Sequence, residues 1–296
     1  MRSSAGSVAI CVMATLAPVP SVAVSPLVGQ DTGTVHAPAA AARWNLHHPE
    51  AHYTLPGRLR EISGLAFDAH GQLLAHDDNT GVVYRIDPRT GKADHGFALG
   101  DLHRPPKGDF EAVAVVGQRL FLVTSQGLLY EFREAPEGGS APYRVSDTRL
   151  RSHCEIEGMA YDARSQSVLF ACKRIEPPAR EIHIYSLSVD STRRVPRRLT
   201  VPFAALAPFG LGGGVHPSGL EVDPESGALI LVAARERALL VLSRDGGVLG
   251  AARLSSKYHR QPEGVAIGPE GDLYISDEAA GHHPTLTVYA PHRRKP

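Results

Sequence analysis

Short apolar runs separated by turn residues recur along the chain after about residue 50. In the first group, Ile62–Phe67 has an alternating pattern of side chains. The runs 72–76, 82–86 and 97–99 follow it, and each is bounded by residues such as Gly, Pro, Asp or Asn. Runs of this length between turn residues are typical of β-strands. Helical periodicity is almost absent apart from a short turn at 203–209. The pattern predicts an all-β chain.

A four-residue phrase opens each group of strands. Five copies occur, and they begin at Glu61, Asp109, Glu155, His216 and Gln261. Their fourth residues stand at positions 64, 112, 158, 219 and 264, a spacing close to the ~40–50 residues of a four-stranded propeller blade. The repeat predicts a five-bladed β-propeller. A six-bladed ring, with a blade inside residues 176–215, is the alternative, but the Pro and Gly content of that stretch favours an insertion.

The two ends of the repeat region complement each other. The fifth group has only three strand-like runs, of which the last is 286–289, and an extra strand-like run at 52–55 precedes the first phrase. Pairing of the N-terminal strand with the last blade would close the ring and remove exposed sheet edges. We therefore expect a single propeller domain over residues 51–296.

The N-terminus carries the pattern of a secretory signal. Arg2 is followed by an apolar stretch at 8–17 and by the small residues at 21–23, which predicts a signal peptide over residues 1–23. The stretch is shorter than the ~20 apolar residues of a membrane span. Residues 24–50 are predicted to be a flexible linker. We expect a periplasmic or secreted monomer with no transmembrane span in the mature chain.

Composition narrows the function classes. Lys and Arg together number 31, as do Asp and Glu, and no basic stripe with interleaved aromatic residues is present, so nucleic acid is not an expected partner. The sequence also lacks a Gly-x-Ser-x-Gly elbow, a P-loop, a dinucleotide fingerprint and metalloprotease histidine spacing.

The two cysteines after the predicted signal flank one predicted hairpin. Cys154 and Cys172 lie on either side of a turn near residue 163, so they would stand on adjacent antiparallel strands. In an oxidising compartment they could form a disulfide. Two buried free thiols are the other interpretation.

The third position of the phrase predicts a site on the propeller axis. The start of the first strand and the end of the second strand of every blade meet at one mouth of the channel. Gly follows this position in four repeats, and Ala112 follows it in the second repeat. The glycines would let the backbones approach closely at the axis. The phrase residues expected at the mouth are Ser63, Glu111, Glu157, Ser218 and Glu263, with Glu61 beside them. The returning strands are expected to add Asp77, Asp78, Lys173, Arg235, Asp277 and Glu278.

Three converging glutamates repel one another strongly in a partly buried mouth. A calcium ion held by Glu111, Glu157 and Glu263, with Asp77 and Asp277, would offset this repulsion. Protonation of one acid, or pairing with Lys173 and Arg235, are the alternatives. The glutamates could also simply cap backbone amides.

The phrases resemble those of the bacterial SdiA-regulated domain family, relatives of NHL-repeat propellers, from about residue 53 to residue 291. The resemblance is carried by Glu61-Ile-Ser-Gly-Leu-Ala with Asp77-Asp78, Gly108-Asp-Phe-Glu-Ala-Val-Ala, Glu155-Ile-Glu-Gly-Met-Ala-Tyr-Asp, His216-Pro-Ser-Gly-Leu-Glu-Val-Asp, and Gln261-Pro-Glu-Gly-Val-Ala-Ile-Gly with Asp272-Leu-Tyr-Ile-Ser-Asp-Glu278. It implies a five-bladed propeller in the cell envelope with a calcium site near the axis and no assigned enzymatic activity. The chain departs from the family pattern at Ala112, where Gly is usual, and at Lys173-Arg174, where an acidic residue is expected.

Three functions follow as hypotheses. The first is an exported, calcium-stabilised binding module that presents its channel mouth to a small molecule or a protein. The second is a metal-dependent hydrolase of the lactonase or phytase-associated esterase type, with Asp77 or Asp277 as general base. The third is a scaffold whose mouth is blocked by residues 203–215.

Overall fold

The computed structural model describes residues 43–190 and 196–292. The predicted signal peptide, and the part of the predicted linker before residue 43, lie outside these residues. The described residues form 21 strands in five sheets, with two short 3₁₀ helices at Gly57–Leu59 and Phe203–Phe209. The prediction of an all-β, five-bladed propeller is confirmed.

Each blade is a sheet of antiparallel strands. Blade 1 contains β2 (Ile62–Phe67), β3 (Leu73–Asp77), β4 (Val82–Ile86) and β5 (Phe97–Leu99). Blade 2 contains β6 (Phe110–Val116), β7 (Arg119–Thr124), β8 (Leu128–Phe132) and β10 (Tyr143–Asp147). Blade 3 contains β11 (Cys154–Asp162), β12 (Ser167–Ile175), β13 (Glu181–Ser188) and β14 (Arg197–Pro202). Blade 4 contains β15 (Gly219–Val222), β16 (Leu229–Ala233), β17 (Ala238–Leu242) and β18 (Val248–Arg253). Blade 5 contains β19 (Pro262–Ile267), β20 (Leu273–Asp277), β21 (Thr285–Tyr289) and the N-terminal β1 (Ala51–Thr54).

The first strand of each blade lies next to the axis. The strands β2, β6, β11, β15 and β19 contact one another in that order, and β19 contacts β2, so the ring is closed. Five clusters of buried apolar side chains fill the spaces between neighbouring blades. Both faces of each blade are therefore buried, which explains why strands such as β16 and β17 are apolar throughout.

The N-terminal strand closes the ring as expected. Strand β1 pairs with β21, with Ala51 opposite Val288 and Thr54 opposite Thr285. The residues just before it also belong to the propeller, although the sequence placed them in the linker. Trp44 is 2% exposed, and its indole Nε1 donates a hydrogen bond to the carbonyl of Gly271 at 2.9 Å. The flexible linker therefore does not extend to residue 50, because this aromatic side chain is buried between blades 4 and 5.

The long third repeat holds no sixth blade in its described residues. Strands β13 and β14 complete blade 3, and the 3₁₀ helix at Phe203–Phe209 follows them where a short turn was expected. One connection differs from the simple repeat. The two-residue strand β9 (Ser140–Ala141) pairs in parallel with β5 of blade 1 before β10 joins blade 2.

Blade 3 also carries a covalent link. Cys154 and Cys172 form a disulfide between β11 and β12, with their Cα atoms 5.3 Å apart. Both side chains are buried in the apolar cluster between blades 2 and 3. In the described ranges we find no helix of the length and apolarity that a membrane crossing requires.

Candidate functional site at the axial mouth

A β-bulge places the third residue of the phrase at the mouth. In blade 1, Ile62 pairs with Asp77 and Gly64 with His76, so Ser63 is an extra residue on the inner strand. The pairing registers show the same extra residue at Glu111 and Glu157, and a register shift spans Glu263. A bulge turns one side chain out of the regular alternation and is a frequent feature next to functional sites. The acid column therefore projects from bulges at the start of the inner strands.

The structure brings Glu111, Glu157 and Glu263 together around one lysine. The Nζ atom of Lys173 lies 3.0 Å from Oε2 of Glu157, whose side chain is 6% exposed. Glu111 lies within hydrogen-bonding reach of Glu157. Glu263 interacts electrostatically with both Glu157 and Lys173. The three acids thus form, with Lys173, a cluster that we call the acid ring.

Protonation and the lysine relieve the repulsion within the acid ring. Burial, reinforced by the charges of Glu157 and Asp109, raises the pKa of Glu111 to about 10, so this side chain is protonated at neutral pH. Burial, with the charges of Glu278 and Glu157, raises the pKa of Glu263 to about 8. Burial also raises the pKa of Glu157, although Lys173 opposes the shift. Burial alone would lower the pKa of Lys173, but the neighbouring glutamates raise it. The ammonium group of Lys173 and the proton retained by Glu111 therefore reduce the repulsion that a bound cation was expected to offset.

Acidic groups continue from the acid ring toward the rim of the mouth. Burial and neighbouring charges raise the pKa of Glu278 and of Asp78 to about 7, and Glu61 contributes to both shifts. Gln261 links the two layers, because its side-chain Nε2 contacts Oε1 of Glu263 at 3.2 Å and also Oε2 of Glu278. Carboxyl groups with raised pKa values thus extend from the axis to the half-buried rim.

The two aspartates expected to bind metal accept hydrogen bonds from backbone amides. Asp77 accepts a hydrogen bond from the amide of Glu61 at 3.2 Å, and Asp277 accepts one from the amide of Gln261 at 3.0 Å. Asp277 also lies 2.7 Å from Nδ1 of the fully buried His259. Both aspartates therefore hold the phrase in place in their own blades.

The other positions expected at the mouth include two serines and an arginine. The Ser218 hydroxyl donates to the carbonyl of Pro262 at 2.7 Å, which ties blade 4 to blade 5. The Ser63 hydroxyl donates to the carbonyl of Glu61 at 3.2 Å. Arg235 is exposed, whereas its neighbour Glu236 binds the amide of His216 at 3.0 Å and its Nδ1 at 2.8 Å. Sequence reasoning missed the roles of Glu236 and Gln261, although both adjoin positions that it singled out.

The acid ring, in this conformation, does not match a preformed calcium site. Within residues 43–190 and 196–292, no group of three or more His, Cys, Asp or Glu side chains is arranged to hold a metal ion. Calcium needs six to eight oxygen ligands at ~2.3–2.6 Å. Here one of the candidate carboxylates is paired with Lys173, and Asp77 and Asp277 are bound to backbone amides.

Several solved structures share this architecture. Glutaminyl cyclase of Myxococcus xanthus is 16% identical, with a TM-score of 0.58 over 82% of this chain and 96% of that chain. A glucose dehydrogenase is 14% identical, with a TM-score of 0.54 over 81% and 99% of the two chains. A luciferin-regenerating enzyme is 10% identical, with a TM-score of 0.52 over 83% and 96%. Likeness at these identities concerns the fold alone.

Comparison of the sequence with curated proteins found no significant match. A family model, described as SdiA-regulated, matches residues 53–282. The match extends from strand β1 to the loop before β21 and includes all five phrases. The protein therefore belongs to the SdiA-regulated family.

Proposed function

We propose that the protein is an exported binding module of the cell envelope and that the acid ring, with the acidic rim, takes a cationic ligand. The observation that carries this proposal is the imbalance of charge at the mouth. Five carboxyl groups with raised pKa values lie at the mouth, and Lys173 interacts with four of them; the five are Asp78, Glu111, Glu157, Glu263 and Glu278. Export rests on the predicted signal peptide.

A ligand with positive charge would relieve a cost that the free protein carries. Buried carboxyl groups avoid ionisation by retaining protons, because desolvation disfavours the charged form. A cation that enters the mouth stabilises the carboxylates and displaces those protons. Glu111, Glu278 and Asp78 are only half-buried, so the mouth is accessible from solvent. Binding is therefore expected to strengthen as pH rises through about 7–8.

Calcium is the first ligand to test. Carboxylate oxygens suit this ion, but Lys173 holds Glu157 in the folded protein. We propose that calcium binds in competition with the Lys173 ammonium, which must move aside before Glu157 can contribute an oxygen ligand. The ion would add stability to the mouth and leave the rim for a larger ligand.

Substitution of Lys173 by Met is expected to tighten calcium binding about tenfold, which corresponds to ~1.4 kcal/mol. The substitution removes the competing charge and frees Glu157, whereas Glu157→Gln should weaken binding. Isothermal titration with CaCl₂ at pH 8, after treatment with a chelator, measures both effects. Arg235→Met is the matched control, because Arg235 is exposed and its loss should leave the affinity unchanged.

Two outcomes would contradict calcium binding at the acid ring. If neither the wild-type chain nor Lys173→Met gains thermal stability in millimolar CaCl₂, calcium is excluded, since a ligand at 100 times its dissociation constant adds ~2.7 kcal/mol. If added calcium gives the same small shift at pH 6 and at pH 8.5, the acid ring is not the site of binding.

A hydrolase is the second candidate, and one observation favours it. Asp78 and Glu278 have pKa values raised to about 7 and are half-buried, which suits general acid–base chemistry near neutral pH. A screen of lactones, aryl esters and phosphoesters with calcium, manganese and zinc tests this function. Turnover that is lost in Glu278→Gln, while the thermal transition is retained, would favour the enzyme over the binding module. Absence of turnover in the screen would remove this hydrolase candidate.

A further inference from the structure

A cavity lies on the propeller axis, away from the acid ring. It has a volume of about 380 Å³, and all five inner strands line it with the residues that follow the phrase. Its walls include Leu65, Val113, Met159, Val222 and Ile267. Ile267 is four residues beyond Glu263, which is ~13 Å along a strand. The cavity and the acid ring therefore occupy different parts of the axis.

Four acidic residues line this cavity, and one of them is Glu221. Glu221 lies on the four-residue strand β15, whose other residues are Gly219, Leu220 and Val222. Its Oε1 atom accepts a hydrogen bond from the amide of Val222 at 2.7 Å, and the amide of Ile267 also donates to the carboxyl group. The inner edge of a propeller sheet has no further strand to pair with, so its amides are available to such a group. Glu221 thus bridges the inner edges of blades 4 and 5.

The other acids that line the cavity are already engaged. The Asp162 carboxylate is paired with Arg244, with Nη1 2.7 Å from Oδ1, and the Asp223 carboxylate is paired with Arg43 at 2.6 Å. Asp68 accepts hydrogen bonds from amides of its own turn. Arg164, the basic side chain of the lining, donates to the carbonyl of Glu225 at 3.0 Å.

Among the described residues, Glu221 forms no ion pair with a basic side chain, whereas the charge of Asp223 helps to raise its pKa. A buried carboxyl group that lacks a counter-charge costs free energy when it ionises. An entering cation would therefore gain more interaction free energy beside Glu221 than beside the other acidic residues of the cavity.

We infer that this cavity binds a small apolar molecule that carries one primary amine, with Glu221 as the partner of its ammonium group. The volume falls in the range of small-molecule sites, ~300–1,000 Å³, which are mostly apolar with a few placed polar groups. The apolar walls would take the body of the ligand. The Val222 and Ile267 amides hold the Glu221 carboxyl group, and its remaining lone pairs are free to accept from an ammonium.

Binding of an amine is expected to release a proton. Burial raises the pKa of Glu221 to about 8, so the free carboxyl group is largely protonated at pH 7, while its complex with an ammonium needs the carboxylate. The other charged residues of the lining are Asp68, Asp162, Arg164 and Asp223, with Arg43 and Arg244 as partners of two of these aspartates. The pKa values of Asp162 and Asp223 are lowered, so these two stay ionised across this range, whereas the raised pKa of Glu221 makes it the group expected to exchange the proton.

Benzylamine and its neutral analogue benzyl alcohol form the test pair. In a spectrum of isoleucine δ1-methyl groups, benzylamine is expected to shift Ile267 and to leave Ile62 and Ile156 unchanged, because these two precede Ser63 and Glu157 at the mouth. Glu221→Gln should weaken benzylamine binding at least ~tenfold and leave benzyl alcohol binding as it was. The exposed Glu50→Gln is the control with the same chemical change.

Calorimetry in buffers of different ionisation enthalpy adds a readout that requires no variant. At pH 7, the wild-type protein should release close to one proton for each benzylamine bound. The inference is overturned if millimolar benzylamine shifts only Ile62 and Ile156, shifts no isoleucine, binds Glu221→Gln equally well, or binds without proton release. A shift confined to Ile62 and Ile156 would instead support the acid ring as a cation site, so failure here is distinct from failure of the proposed function.

Discussion

Gly219→Ala is expected to destabilise the propeller by about 3 kcal/mol, at the upper end of the usual cost of overpacking. A Cβ atom at this position would lie 2.2 Å from the carbonyl oxygen of Glu263 and 2.8 Å from Cγ2 of Val232. The nearest atom belongs to the backbone of the neighbouring inner strand and cannot turn away. The added methyl group must therefore push blades 4 and 5 apart at the axis.

Gly213→Ala is the matched control for this substitution. No atom lies within 4 Å of a Cβ built there, and its φ angle is not positive, so the change should be within about 0.5 kcal/mol. Urea denaturation monitored by circular dichroism measures both variants. Equal losses in the two would show that the close approach at Gly219 is not what holds the blades together.

Glu263→Gln is expected to make the protein more stable at pH 8.5, by about 2 kcal/mol, but by less than about 1 kcal/mol at pH 5. The pKa of Glu263 is raised from 4.5 to about 8 on folding. Below pH 4.5 the carboxyl group is protonated in the folded and in the unfolded chain, so the raised pKa costs no stability there. As pH rises from 4.5 toward 8, the folded protein loses stability, because the unfolded chain ionises first. Each pKa unit is worth ~1.36 kcal/mol, and relaxation of the coupled acids reduces the total.

The difference in unfolding free energy between the wild-type chain and Glu263→Gln, taken at each pH, separates the effect of Glu263 from that of the other titrating groups. His76, whose pKa is lowered to about 4 by burial, destabilises the folded protein as pH falls below 6.5, but it does so in both chains. Glu270→Gln, at an exposed position, should show no such pH-dependent difference. A Glu263→Gln variant that is less stable than wild type at pH 8.5 would mean that the ionised side chain stabilises the mouth.

The expected gain from neutralising Glu263 bears on function. A side chain that reduces stability at working pH is often retained for its chemistry, because functional sites commonly trade stability for activity. Under the proposed function, a bound cation would offset the free-energy cost of ionising the acids of the acid ring. An uncharged glutamine would give a more stable propeller and a weaker site, which makes the two properties separable by experiment.

The solved structures that share this architecture include a cyclase and a dehydrogenase by name. One propeller architecture therefore accompanies quite different chemistry. Function must be argued from the side chains at the mouth and in the axial cavity, and those side chains differ from blade to blade even where the strands repeat.

The sequence by itself determined the repeat and therefore the ring. Alternating apolar runs specify strands because side chains alternate across a sheet, and five phrases at a near-constant spacing specify five equivalent blades. Closure by the N-terminal strand followed from the missing fourth run of the last repeat. The convergence of positions 111, 157 and 263 followed from the same symmetry, since the same place in every repeat comes to the same mouth.

Only the tertiary structure decided what each of these side chains does. The bulges at Glu111 and Glu157 aim them at the axis, and a bulge depends on the pairing register with the second strand. Lys173 lies against Glu157, whereas Asp77 and Asp277 turn to backbone amides. Glu221 is one polar residue in an apolar strand and carries no sequence signal of a site. The role that we infer for it depends on a cavity that forms only when five distant strands meet, because the free energy of a buried charge depends on all the groups around it.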